Sequence, residues 1–298
     1  MEGKNSVDQL LKVFITVVEL KNFTRAAEQL HMTQPAVSQS IKNLEERFGT
    51  ILIERKNKEF FVNPAGELVY AIGKEINEKF RTMEVLVKEL EHKPSGEVII
   101  GASYTIGEYI LPKLLTVLHQ TYPKVHVHIL IGNTKEIGKK LLNREIDLGF
   151  IEGTLIHPDI SMMTFMQDNM YVCSKISEED PNQVTMEELE NSIWLIREEG
   201  SGTRDIMLQF LDDYGITPKH IITLGSTQLI KEAVQAGLGI SLMSESAITK
   251  EIEHQNIHVL NKEQFTVSRK FSFIKYSSSF EPKTYQVIEQ KLKELWCN

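Results

Sequence analysis

FTRAAEQLHMTQPAVSQSIKNLEERFG, residues 23–49, joins two helical patterns through a connection of only a few residues. In the second pattern Val37, Ile41, Leu44 and Phe48 fall at helical spacing and make one apolar stripe. Gln34, Ser38, Gln39, Lys42 and Glu45 line the other side, so that side is built to meet something polar and patterned. Thr33 is placed to cap this helix and Pro35 sits in its first turn, where a missing N–H costs nothing. The shorter helix before it carries Ala26, Ala27 and Leu30 on one face, with Thr24 as the expected cap. Two helices joined so tightly cross steeply, which is the helix-turn-helix arrangement. Its second helix is the one that enters a DNA major groove and brings N-terminal side chains to base edges.

Outward from this stretch, Ser6 and Gln9 predict a capping box for a support helix that runs to about Leu20 through Leu10, Phe14, Val17 and Val18. On the C-terminal side, Ile51–Ile53 and Phe60–Val62 read as two short strands around a charged tip, a wing carrying Arg55 and Lys58. Pro64 opens a long helix in which Ala65, Leu68, Ile72, Ile76, Phe80, Met83, Val87 and Leu90 hold one face for seven turns. A stripe of that length on a charged helix predicts a partner, with homodimerisation weighed above packing on the chain's own second domain. His92–Gly96 reads as a linker. Beyond it, short apolar runs alternate with helical stretches, which predicts α/β structure on a parallel sheet.

The 298 residues are ample for two domains, and 41% hydrophobic with 25% charged residues is globular composition. The net charge of −8 lies entirely in residues 94–298, while residues 1–93 balance to zero. Within the first part, Lys21 to Lys58 carries a local basic excess suited to phosphate. The apolar run from Leu10 to Leu20 is broken by Lys12 and Glu19, so neither an export signal nor a membrane span is expected, and the predicted location is the cytoplasm. Cys173 and Cys297 form no CxxC pair, and they are read as ordinary thiols.

Several motifs invite other chemistry and fail it. GNTKEIGKK, residues 132–140, has the wrong glycine spacing and no Ser or Thr after its lysines for a phosphate loop. Gly237 and Gly239 lack the third glycine of a dinucleotide fingerprint. His126 and His128 share a strand face without a further placed ligand, so no metal is expected and no cofactor is called. Ser201 has no assignable His and Asp, and no GxSxG elbow exists, so a hydrolase is disfavoured. The rivals to a DNA-binding regulator are a transporter's solute receptor and an enzyme with an accessory DNA-binding domain. Recovering a bound effector chemically unchanged separates the last of these.

NFTRAAEQLHMTQPAVSQSIKNLEERFGTILIER followed by VNPAGE closely resembles the winged helix-turn-helix of LysR-type transcriptional regulators, and GASYTIGEYILP, REIDLGFIEG, EEGSGTR and QAGLGISLMSE follow in that family's order. Two wing positions depart from the usual pattern, Ile53 where Phe is usual and Asn63 where Thr is usual. The resemblance implies a winged helix-turn-helix domain over 1–63, a linker helix over 64–93 and a two-lobed effector domain like a periplasmic binding protein over 94–298. Lobe I would comprise about 95–166 and 269–298, and lobe II about 167–268. DNA would be read by Thr33, Gln34, Pro35, Ser38, Gln39, Lys42, Arg55 and Lys58. A small anionic effector would lie between the lobes against Ser103, Thr105, Glu152, Ser201, Gly202, Thr203 and Ser226, with Arg204 as a further candidate. Hydroxyls at helix N-termini suit an anion, although a lone Ser or Thr there is more often a cap. Dimers pairing into tetramers, and RNA polymerase as a candidate partner, complete the implied picture. Gly101–Pro112, EEGSGTR and GSTQLIKEAV look most like members that control sulfur and cysteine metabolism.

Overall fold

The computed structural model describes residues 6–56, 59–91, 94–175, 181, 183–278 and 281–297. The chain divides into two compact units, Met1–Leu90 and Glu91–Asn298. The first contains α1 (Val7–Leu20), α2 (Phe23–Gln29), α3 (Gln34–Phe48), the hairpin β1 (Ile53–Lys56) and β2 (Glu59–Val62), and α4 (Pro64–Glu91). Phe14, Val17, Val37, Leu44 and Leu52 are fully buried together at its centre. Each terminus of α3 has a physical cause: the Thr33 hydroxyl accepts from Ala36 N, and Gly49 ends the helix in the left-handed region at φ 68°.

Four local expectations are corrected here. The cap of α2 is Asn22, whose side chain accepts from Thr24 N and Arg25 N, so Thr24 lies inside the helix. Ser6 occupies the cap position of α1 but its side chain accepts no backbone hydrogen bond; it bonds the Asp8 carboxylate instead, which holds that group below its ordinary pKa. The stripe on α3 ends one turn early, since Phe48 at the last turn is 49% exposed. The wing also starts later than the apolar run suggests, because Leu52 is drawn into the core and Ile51 is left 59% exposed. Asn63 ties this corner together, its Nδ2 donating to Ile51 O at 2.7 Å while its Oδ1 accepts from Gly66 N at 2.9 Å. Gly66 has no alternative, because a Cβ there would stand 2.3 Å from Leu52 O.

The second unit holds β3 (Gly96–Ser103), a π-turn (Ile106–Ile110) running into α5 (Leu111–Thr121), β4 (Val125–Gly132), α6 (Thr134–Leu142), β5 (Leu148–Glu152) and β6 (Ile160–Ser174). It continues with α7 (Met186–Asn191), β7 (Ile193–Arg197), α8 (Gly202–Asp213), β8 (His220–Leu224), α9 (Thr227–Gln235), β9 (Ser241–Ser244), α10 (Glu245–Glu253), β10 (His258–Val259), β11 (Thr266–Tyr276) and α11 (Lys283–Trp296). The sheet is mixed rather than parallel. Its order is β10-β6-β11-β5-β3-β4, with β9 also on β6, and β6 and β11 run antiparallel to one another along eleven paired positions from Thr266↔Tyr171 to Tyr276↔Ile160. These two long strands serve both lobes. One lobe stacks β3, β4, β5 and one end of the pair between α5 with α11 and α6; the other gathers β7, β8, β9 and β10 with α8 to α10. β7 and β8 pair in parallel, and Ile240 bridges β7 to the strand that follows it.

Candidate functional site

On the first unit, α3 presents a continuous solvent face. Thr33, Gln34, Pro35, Gln39 and Lys42 are exposed, and Ser38 is half-buried. Gln34 Nε2 donates to Ser38 Oγ at 2.9 Å and Gln39 Nε2 to Asn43 Oδ1 at 2.8 Å, so the amides are aligned along the helix surface by neighbours one turn on. Lys42 lies 3.7 Å from Glu46, a solvated pair that either a phosphate or water can open. Glu45 leaves this face: its Oε1 accepts from Leu52 N and Ile53 N at 2.9 and 3.3 Å, and so positions the wing against the helix. Arg55 takes its place in β1 opposite Phe60, and Lys58 lies outside the described residues.

In the second unit, the ends of β3, β5 and β7 and the starts of α8 and α9 bring most of the expected cleft residues together. Ser103, Thr105 and Ser201 are each 1% exposed, and none of their hydroxyls has a hydrogen-bond partner among the described residues. That separates them from caps. Ser226, by contrast, does cap α9, its side chain accepting from Leu229 N at 3.2 Å. Thr203 is committed in another way, its hydroxyl donating to Glu152 Oε2 at 3.3 Å while accepting from Arg269 Nη1 at 2.9 Å. At Gly202 the lobes approach too closely for a side chain, since a Cβ there would stand 2.8 Å from Glu152 O. Arg204 is engaged within the second unit, donating from Nη1 to Arg197 O at 2.8 Å.

Two arginines that sequence reasoning passed over dominate the electrostatics. Arg197, 2% exposed at the end of β7, lines a recess with Thr105, Thr203, Thr227 and Ser244. Its Nε and Nη2 both donate to the Glu198 carboxylate at 2.7 Å, Nη1 donates to Thr227 Oγ1 at 2.9 Å, and its guanidinium lies 4.6 Å above the Tyr104 ring. Burial alone would raise the Glu198 carboxyl, but the Arg197 hydrogen bonds and charge, with further hydrogen bonds from the backbone and Asn133, together outweigh it and hold the group below its ordinary pKa. Glu108, near the same arginine, moves the other way: burial pushes it up and the attraction of Arg197 and Lys231 offsets only part. Arg269 on β11 faces Asp168 directly across the β6–β11 ladder, with Nε 2.8 Å from Asp168 Oδ2. Contacts between the lobes surround this core: Tyr109 Oη donates to Gln228 Oε1 at 2.8 Å, Asn133 Nδ2 to Glu198 Oε1 at 3.4 Å, and Lys135 N to Gly200 O at 3.1 Å. The sequence signal for Arg197 was a cation closing an apolar strand, IWLIR, and for Arg269 a cation pair with Lys270 interrupting one, TVSRKFSF.

A winged helix-turn-helix followed by a two-lobed α/β domain with a polar cleft is the architecture of a ligand-responsive regulator of transcription. Comparison with known proteins makes the assignment specific. The family profile described as "Bacterial regulatory helix-turn-helix protein, lysR family" matches residues 9–67, and that of the "LysR substrate binding domain" matches residues 91–296. The chain is 38% identical over 273 residues to the HTH-type transcriptional regulator CysL of Bacillus subtilis, which covers 89% of each. Among solved structures, full-length OxyR from Pseudomonas aeruginosa superposes with a TM-score of 0.76 at 24% identity, covering 98% of this chain and 96% of that one. Full-length CbnR, solved with its target DNA, superposes at 0.68 and 20% identity, covering 97% and 99%. The chain belongs to the LysR family of transcriptional regulators, a family of DNA-binding proteins and not of enzymes. Among the described residues no helix is long and apolar enough to cross a membrane.

Proposed function

We propose that this regulator acts in the cytoplasm as a self-associating DNA-binding protein whose response is set by a small acid held between the two lobes. The observation that carries the effector part is the set of buried hydroxyls on Ser103, Thr105 and Ser201 that have no partner among the described residues. A buried polar group left unpaired costs about 1–3 kcal/mol, and here several such groups lie at strand and helix ends that belong to both lobes. Ligand acceptors would meet them, with Gly202 permitting the close approach of the lobes. Because the contacts come from both sides, the ligand favours the closed geometry by its differential affinity.

The DNA part rests on the exposed face of α3. Gln34, Ser38 and Gln39 reach base edges, while Thr33, Pro35 and Lys42, with Arg55 and Lys58 in the wing, follow the phosphates. Gel-shift titration at several salt concentrations tests this assignment. Gln39→Ala is expected to change which bases are preferred, and Lys42→Ala to weaken all sites alike while lowering the salt slope by about 1. Parent-like behaviour of both variants would refute it.

A further inference from the structure

The charges behind the recess do not balance. Arg269 is one cation between two carboxylates, Asp168 with an oxygen 2.8 Å from Nε and Glu152 with Oε1 3.8 Å from Nη1. All three are at most 4% exposed. Asp168 is fully engaged, since the Ser244 and Ser246 hydroxyls also donate to it at 2.7 and 2.8 Å. Glu152 is not. Thr203 donates to its Oε2, but among the described residues Oε1 receives no hydrogen bond, and Arg269 Nη2 likewise donates none. Thr203 holds both of these groups and itself lines the recess beside Thr105. The site therefore offers an unused donor that cannot accept and an unused acceptor that, as a carboxylate, cannot donate.

An inorganic oxyanion fits only half of this. It supplies acceptors to Arg269 and the hydroxyls, yet it adds a third negative charge beside Glu152, and a buried carboxylate without compensation is costly. We propose that the effector is a small organic acid that carries its own hydrogen-bond donor, an ammonium in preference to a hydroxyl. Its acid group takes Arg269 Nη2 and the Ser and Thr hydroxyls, and its donor takes Glu152 Oε1. Such a zwitterion carries no net charge, so it adds nothing to the single negative excess of the Arg269–Asp168–Glu152 cluster and sets its cationic end against Glu152. This deepens the cleft reading above and rests on it.

The test uses the full-length protein and four probes at matched ionic strength: glycine, glycolate, acetate and sulfate, followed by thermal shift and calorimetry. Glycine is expected to bind at least about tenfold more tightly than acetate, a difference of about 1.4 kcal/mol, with glycolate between them. In Glu152→Gln the amide can donate to an anion, so acetate and sulfate gain and the preference for glycine disappears. Should the wild-type protein bind acetate or sulfate as tightly as glycine, and should Ser103→Ala and Thr105→Val weaken that binding, the cleft reading stands and this inference falls. A water molecule bridging Arg269 and Glu152 in place of a ligand group would give that result. Failure of all four probes to bind overturns both. The wild-type series alone decides the matter if Glu152→Gln does not fold.

Discussion

Single side chains in the cleft divide by whether the fold already uses them. Thr203 is in use: Thr203→Val removes a buried hydroxyl that serves Glu152 and Arg269 together, and it should cost about 1–3 kcal/mol of stability. Ser103→Ala removes a buried hydroxyl that has no partner among the described residues, so the ligand-free protein should lose no stability and should gain up to about 1–3 kcal/mol as that cost is relieved. Both tryptophans, Trp194 and Trp296, lie in the second unit, so urea denaturation followed by their fluorescence reports on the right part of the molecule. A loss in Ser103→Ala as large as that in Thr203→Val would mean that Ser103 holds the fold and is not reserved for a ligand. Glu45 shows the same division in the DNA-binding unit. Sequence periodicity put it on the solvent face with Lys42, whereas two wing N–H groups claim its carboxylate.

At the scale of elements, α4 is the clearest case of a face without a counterpart on its own unit. Leu68, Ile72, Ile76, Phe80, Met83 and Val87 are between 39% and 61% exposed, while the first turns are held to α1 by Tyr70 and Lys74, both on Glu19. Phe80→Glu with Met83→Lys is expected to lower the oligomeric state in equilibrium sedimentation and DNA affinity with it; a parent protein that is monomeric where it binds DNA would exclude dimerisation through this face. Elements with strong periodicity or firm end signals were legible in the sequence: α3 through Thr33 and Gly49, α4 through its stripe, and the buried strands β3, β5 and β7 through their apolar runs. What escaped were the long crossing strands. Positions 160–169, ISMMTFMQDN, and 266–270, TVSRK, mix polar and apolar residues because the pair passes from one lobe to the other and changes the surfaces it packs against. Local pattern carries no information about that change, and so the sheet was expected to be parallel. The cleft suffered in the same way: hydroxyls at helix starts are local signals, but the pairing of Arg269 with Asp168 spans a hundred residues of chain.

At the scale of the whole molecule, acid should loosen the fold in a definite direction. The Glu198 and Glu289 carboxyls are buried in part, which alone would raise them, yet hydrogen bonds from Arg197 and from Lys275 with Lys293 hold both below their ordinary value of 4.5. A carboxyl depressed in the folded state contributes stability above its unfolded pKa and loses it as pH falls through the folded value. Denaturation midpoints should therefore fall from about pH 5 downward, and Glu198→Gln should flatten that decline. The crossing pair also bears on how the chain is made. β11 lies between β5 and β6 in the sheet, yet it is translated more than a hundred residues after β5. Until residues 266–276 leave the ribosome, β5 has an unsatisfied edge on the side that β11 will occupy, and strand edges of that kind invite pairing with other chains. Chaperone dependence during synthesis, and a nonsense mutation near residue 265 that ruins the first-made lobe rather than the last-made one, both follow from a keystone strand that arrives late.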